Sequence, residues 1–348
     1  MNVCDKCFTD LEIKQFIITT SKIQGSCDCC GQDGAILDVD EILDFFAEFI
    51  TIFKYNIEGK PLVELIQEDW NIFSSIDTGQ SFFSSNDILD SLKLITDVSF
   101  SESVFDPMIP VSYTDEITDS VSFWGKLKDD LKWRRRFLTD IGEMEDMGWD
   151  AMFNVFTTLD STNYLYRARI NQKGQTIAYT PDKMFAPEKE LTTSGRANPQ
   201  GIPYLYLSKD YETTVYEARA TFLDNISIGK FQLVDGKELR LVDFTSHQSP
   251  FNQGADIIRF TKARLTRNII SKDLSEPLRR YDSELEYIPT QFICEYIRFF
   301  TKADGIQFYS SLEKGGVNIV LFDQSDIECV EVEVHQITEV KIKSNKII

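Results

Sequence analysis

Histidine is almost absent from this sequence: in 348 residues only two occur, His247 and His335. A Ser-His-Asp hydrolase assembled from Ser310 and His335 would lack the G-x-S-x-G elbow that presents such a nucleophile. The glycine patterns G-x-G-x-x-G and G-x-x-x-x-G-K-[ST] are missing too, so neither a dinucleotide-binding Rossmann turn nor a P-loop can be argued. No stretch approaches about eighteen consecutive apolar residues, and Met1-Asn-Val-Cys-Asp-Lys-Cys7 has neither the basic nor the apolar region of a signal peptide. These absences point away from membranes and toward the cytoplasm. No internal repeat is evident.

What is present is the composition of a globular protein. Hydrophobic residues make up 42% and aromatics 12%, with 26 phenylalanines, which excludes an apolar-poor disordered chain. The length allows two domains with well-buried cores. Cationic residues are scarce in one half only. Residues 1–150 hold 12 of the 36 Lys and Arg but 30 of the 56 Asp and Glu, so the net charge of −20 belongs to the N-terminal half. Such a surface repels phosphate backbones, and nucleic-acid binding by that half is not expected. The near-neutral C-terminal half can take an anionic small molecule where arginines line a pocket. The basic run Lys132-Trp-Arg-Arg-Arg136 reads as a solvated helix face paired with neighbouring acids.

Five of the seven cysteines fall in the first thirty residues. Cys4-Asp-Lys-Cys7, nineteen residues, then Cys27-Asp-Cys-Cys30 form two CxxC knuckles at the spacing of a structural zinc site. Each knuckle presents two thiolates on one side, and two complete a tetrahedral shell with no open position. The ligand set is Cys4, Cys7, Cys27 and Cys30, or one with Cys29 replacing a neighbour. A disulfide framework is the competing reading, disfavoured in a reducing compartment. Cys294 and Cys329 lie in apolar stretches and read as small core residues.

Apolar residues three and four apart predict a helix over 40–53, and shorter helices follow over 61–69 and 86–96. Residues 97–120, with Pro107 and Pro110, read as a linker, and a longer helix is expected over 122–146. The second half changes character. Residues 164–170, 204–208, 228–234, 239–244, 306–310, 317–322 and 329–342 are aromatic or β-branched runs, with helices near 210–221, 255–272 and 287–302. The fold class is α+β, with a mainly antiparallel sheet core in this half.

The densest signal lies between Ser194 and Glu217. Two glycines and two prolines between Gly195 and Pro203 forbid a regular element, Tyr204 to Ser208 follows as a strand, and Asp210 opens a helix carrying Glu217. Arg196, Tyr206 and Glu217 thus approach from a loop, a strand and a helix. Read plainly, they are a surface arginine, a half-buried tyrosine and a solvated glutamate; read together, they are an active site.

The order of motifs resembles the RES domain family. Tyr166-Arg167; Gly195-Arg196, Asn198-Pro199, Gly201, Pro203 and Leu205-Tyr206-Leu207; Glu217; Gly305 and Ser310; and Gly316, Asn318, Val320 and Phe322 follow that family's pattern over about residues 154–323. Where the family has Tyr-Pro-Ser, this chain has Phe308-Tyr309-Ser310-Ser311, which leaves Ser310 or Ser311 as the pocket serine. The resemblance implies an ADP-ribosyltransferase-like domain that binds NAD as substrate and breaks the nicotinamide–ribose bond. In that setting Glu217 stabilises an oxocarbenium-like ribose, Arg167 and Arg196 hold the pyrophosphate, Tyr206 faces the nicotinamide and Ser310 fixes ribose or amide.

The same resemblance suggests a HEPN-like N-terminal part and gives a division into a zinc knuckle (1–35), an acidic helical domain (36–150) and a RES-like catalytic domain (151–348). HEPN ribonucleases use an R-x4-6-H motif. Only Arg240 to His247 meets the count, and a strand-like run there removes the helical spacing that would join the pair. The implied function is an NAD glycohydrolase or phosphorylase acting as a toxin or defence effector. A protein ADP-ribosyltransferase and a non-catalytic nucleotide sensor are the alternatives. An antitoxin or regulatory partner, or a lock by residues 1–150, would restrain it, and homo-oligomerisation is left open.

Overall fold

The computed structural model describes residues 1–74, 108–251, 256–276 and 283–340. The expected 86–96 helix lies outside them. Internal contacts gather the chain into two units, Met1–Trp124 with His247–Thr266, and Gly125–Ser246 with Arg267–Ile348.

The first unit opens with three short antiparallel strands, β1 (Asn2–Cys4), β2 (Ile23–Ser26) and β3 (Asp33–Asp38), in the order β1-β3-β2. Between β1 and β2 runs the helix Leu11–Thr20, capped by Asp10, whose carboxylate accepts from the Glu12 and Ile13 amides and whose apolar face buries Ile13 and Ile17. The apolar stretch expected as one helix over 40–53 is instead a short α-helix, Leu43–Phe49, between two 3-10 turns, and Phe53 already begins β4 (Phe53–Pro61). A run apolar at nearly every position satisfies a helix and a buried turn alike, so its periodicity does not mark the boundary. Its rings build the core: Phe46 stacks on Phe73 at 6.3 Å, and Phe49 meets Trp70 edge-on at 5.1 Å and Phe251 at 5.4 Å.

β4 pairs with β5 (Pro110–Tyr113), inside the stretch expected as linker; Pro110 is tolerated because it stands at the start of a strand in a two-stranded ribbon. A helix then begins at Asp115 and stops at Trp133 rather than running on to 146. Arg136 folds back to donate to the Leu131 and Lys132 carbonyls, which satisfies acceptors the helix end leaves open. Asp140 caps a separate helix, Ile141–Asp146. The basic run pairs with acids as read, Arg135 with Asp130 at 3.3 Å and Lys132 with Glu286.

The second unit carries an eight-stranded sheet of β6 (Phe156–Leu159), β7 (Tyr164–Ile170), β8 (Leu205–Ser208), β9 (Asn225–Leu233), β10 (Leu239–Asp243), β11 (Gly305–Tyr309), β12 (Val317–Leu321) and β13 (Ile327–Gln336), ordered β13-β9-β7-β8-β12-β11-β10-β6. Every neighbouring pair is antiparallel except β10 with β11. Leu165, Leu207, Phe231, Leu241 and Ile319 bury one face beneath Met184 and Phe185. One junction is incomplete. β7 and β8 share a single bridging pair, Tyr166 with Ser208, while β7 pairs with β9 over seven residues. The sheet therefore opens between β7 and β8.

Candidate active site and metal centre

A cavity of about 340 Å³ occupies that opening, within the range of about 300–1,000 Å³ usual for small-molecule sites. β7 supplies Arg167 to it, the following loop Gly195 and Arg196, β8 Tyr206 and Ser208, the Tyr211–Glu217 helix Glu217, and β12 Asn318. Four of the five residues expected at the site therefore line one cavity, and the fifth, Ser310, reaches it through Glu217.

Glu217 lies at the last position of its helix. That helix is capped by Asp210, and it is tied to β7 where the Thr214 hydroxyl accepts from the Ala168 amide at 3.0 Å. Glu217 Oε1 accepts two hydrogen bonds, from Ser310 Oγ at 2.7 Å and from Asn318 Nδ2 at 2.6 Å. Ser310 Oγ in turn accepts from the Leu312 and Glu313 amides at 3.1 and 3.3 Å. Ser310 thus holds the carboxylate. Ser311 turns away, its hydroxyl donating to the Ser275 carbonyl at 2.7 Å.

Arg167 is half-buried, and its Nη1 is enclosed without a hydrogen-bond partner among the described residues. Desolvation, with the nearby Arg169 charge, pushes its pKa down to about 10, so it stays cationic at neutral pH. Arg196 lines the cavity, but its Nη1 donates to the Leu274 and Ser275 carbonyls at 3.1 and 2.9 Å, at the end of the Ile257–Ser275 helix. Tyr206 likewise commits its hydroxyl to the loop: it donates to Asn198 Oδ1 at 2.8 Å and accepts from the Ala197 amide at 3.0 Å. Burial pushes its phenol above the ordinary range, so it remains a neutral donor.

The Gly195–Gly201 loop is held from several sides. Gln291 Nε2 donates to the Gly195 and Asn198 carbonyls at 2.8 and 3.1 Å, and Thr290 Oγ1 to the Arg196 carbonyl at 2.6 Å. Gly201 adopts φ +81°, which closes a turn from Pro199 to Ile202. At Gly195 a Cβ would stand 2.4 Å from Asn198 Oδ1 and 2.8 Å from the Tyr206 hydroxyl. Gly195→Ala is therefore expected to break the Tyr206–Asn198 bond, costing about 1–3 kcal/mol because buried groups lose partners. A denaturant midpoint equal to wild type would contradict this reading of the loop.

Sequence reasoning assigned no role to Asn318 or Ser208. The first was legible as a position of the family pattern and as a lone amide inside the apolar run Val317-Asn-Ile-Val-Leu321, but not as a partner of Glu217.

The RES domain model matches residues 164–343. The chain belongs to the RES domain family. Of its motif residues, Arg167, Gly195, Arg196, Tyr206, Glu217 and Asn318 lie on the walls of one cavity in this RES domain. No curated protein matches the chain. Among solved structures, the crystal structure of the M. tuberculosis MbcT–MbcA toxin–antitoxin complex is similar at 14% identity, covering 53% of this chain and 88% of that chain with a TM-score of 0.31. Among the described residues no helix is long and apolar enough to cross a membrane.

Ahead of the RES domain, the Cys4, Cys7, Cys27 and Cys30 sulfurs lie within 4.8 Å of one another. Cys4 to Cys30 is 3.4 Å, Cys7 to Cys27 3.5 Å and Cys4 to Cys7 3.9 Å, and none of the cysteines is in a disulfide. A tetrahedral zinc with Zn–S bonds of about 2.3 Å sets its sulfurs about 3.8 Å apart, so the donor set fits that ion. Cys29 points its thiol to the Met1 sulfur at 3.7 Å. These four thiols are placed to hold a structural zinc.

Proposed function

We propose that this RES domain cleaves NAD at the nicotinamide–ribose bond. The observation that carries the reading is one cavity lined both by a carboxylate braced by two donors, Glu217, and by an arginine with an unpartnered buried Nη1, Arg167. Heterolysis of the C1′–N bond sends its electron pair to nicotinamide and leaves positive charge on the ribose. A fixed carboxylate beside that carbon stabilises the charge as it develops. A guanidinium lining the same cavity pairs with the pyrophosphate and holds the dinucleotide in register. The ribosyl cation then takes water, phosphate or a protein side chain, giving a glycohydrolase, a phosphorylase or a transferase.

Tyr206 and Arg196 support the reading by shaping the wall, and Ser310 by holding Glu217. Unrestrained loss of NAD harms the cell that makes such an enzyme, so this reading includes a toxin or defence role and an antitoxin or regulatory partner. Incubating purified protein with NAD, with and without phosphate, and resolving the products by chromatography tests it. Binding without nicotinamide release would leave a nucleotide sensor.

Arg167 gives a second check. Its depressed pKa means that the folded chain holds this proton less tightly than the unfolded one, so the charge destabilises the empty site at every pH below about 10. Arg167→Met should raise the melting temperature without ligand yet abolish stabilisation by ADP, which carries a pyrophosphate and no scissile bond. For wild type that stabilisation is about 2.7 kcal/mol at a hundredfold excess over Kd. An ADP response retained in the variant would remove Arg167 from the site.

A further inference from the structure

We propose that Asn318 is the positioning residue for Glu217, braced by Ser208, and that the pair keeps the carboxylate turned toward the cavity. Asn318 sits in β12 among Ile319, Val320 and Leu321, all fully buried, where an amide is costly unless both of its ends are bonded. Both ends are bonded. The register of β12 against β8 sets Asn318 opposite Ser208, and the Ser208 hydroxyl donates to Asn318 Oδ1 at 3.0 Å. Asn318 Nδ2 donates to Glu217 Oε1 at 2.6 Å.

The direction of this chain is fixed by its end. An ionised carboxylate only accepts, so the amide must present its N–H to Glu217 and its oxygen to Ser208, whose hydroxyl must then donate. Ser310 donates to the same Glu217 oxygen. Two donors hold Oε1, and among the described residues no hydrogen bond reaches Oε2, which is left for a ligand. The other charged or titratable groups lining the cavity are Arg167 from β7, Arg196 from the loop, Tyr206 from β8, Arg219 just beyond the Glu217 helix and Tyr287 before the Ile288–Thr301 helix. None of them donates a hydrogen bond to Glu217 in the structure, so Asn318 and Ser310 place its carboxylate most directly.

The kinetic part of the test rests on the NAD-cleaving reading; the spectroscopic part does not. Protein labelled with 13C at glutamate carboxyl carbons, with Glu217→Gln to assign the signal, reports the Glu217 carboxylate directly. Asn318→Asp replaces the donor with a second carboxylate against Oε1, and Asn318→Ala removes the donor without adding charge; each should move the Glu217 carboxyl resonance away from its wild-type position. In nicotinamide release, Asn318→Ala should lower kcat about tenfold or more with KM for NAD within about threefold, the split expected when geometry rather than binding is lost. Thermal unfolding identifies a variant that does not fold, and the other variant then carries the comparison. A Glu217 carboxyl resonance at the same position in wild type and a folded variant would overturn the proposal. A wild type that releases no nicotinamide would overturn the enzymatic reading instead, and the carboxyl resonance would still decide the role of Asn318.

Discussion

Glu217→Gln is expected to lower kcat for nicotinamide release by about 10²–10³-fold, the loss typical when one preorganised electrostatic group is removed from a transition state. The glutamine is chosen because its carbonyl oxygen still accepts from Ser310 and Asn318, which now bond Glu217 Oε1 at 2.7 and 2.6 Å. Only the charge is removed. Stability should therefore change by under about 1 kcal/mol, since neither donor is stranded. The carboxylate sits at the end of a short helix fixed by Asp210 and Thr214, so its placement does not depend on its own charge. Turnover by Glu217→Gln at the wild-type rate would mean that the cavity binds a nucleotide without using this group, and the sensor reading would replace the enzymatic one.

Cys7→Ser should have an equally large effect on the other unit. Cys7 is buried, its sulfur is 3.5 Å from that of Cys27 and 3.9 Å from that of Cys4, and the knuckle it closes begins at β1. Structural zinc sites in small domains contribute about 10–16 kcal/mol at neutral pH, as much as the whole stability of many folds. Wild-type protein is expected to carry one zinc per chain, and the variant to lose both the ion and cooperative unfolding of residues 1–74. Amide hydrogen exchange along that segment, beside metal analysis, reads both. Acid should release the ion from wild type, because thiolate ligands must be deprotonated to bind. Stoichiometry far below one zinc, with Cys4 and Cys7 in a disulfide, would rule the site out.

The strands of the RES domain were legible because aromatic and β-branched runs bounded by Gly, Pro and Asp have few other ways to fold. Tyr164–Ile170 and Val317–Leu321 lie almost where their composition places them. Boundaries in the first unit were less legible. The stretch from Asp40 to Phe53 is apolar at too many positions for period 3.6 to be told from a buried turn, and Pro110 looks like a loop residue unless the strand beside it is known. The cysteine set was readable because zinc ligation is a matter of short local spacing, two knuckles each closed within four residues.

By itself the sequence determined the parts: two thiolate knuckles, a Gly-Pro loop, an acid on a capped helix and the motif order of a RES domain. Only the tertiary structure decided how they meet. Ser310 and Ser311 are indistinguishable as letters, yet a reversal of the chain after β11 turns one hydroxyl to Glu217 and the other to Ser275. Arg196 reads as a free cation, but the end of a helix begun far along the chain takes its Nη1. The bonds that place Glu217 span 93 and 101 residues. Side-chain periodicity fixes which face of a strand is buried and carries no record of which strand lies beside it, so the opening between β7 and β8, and with it the cavity, exists only once the sheet is assembled.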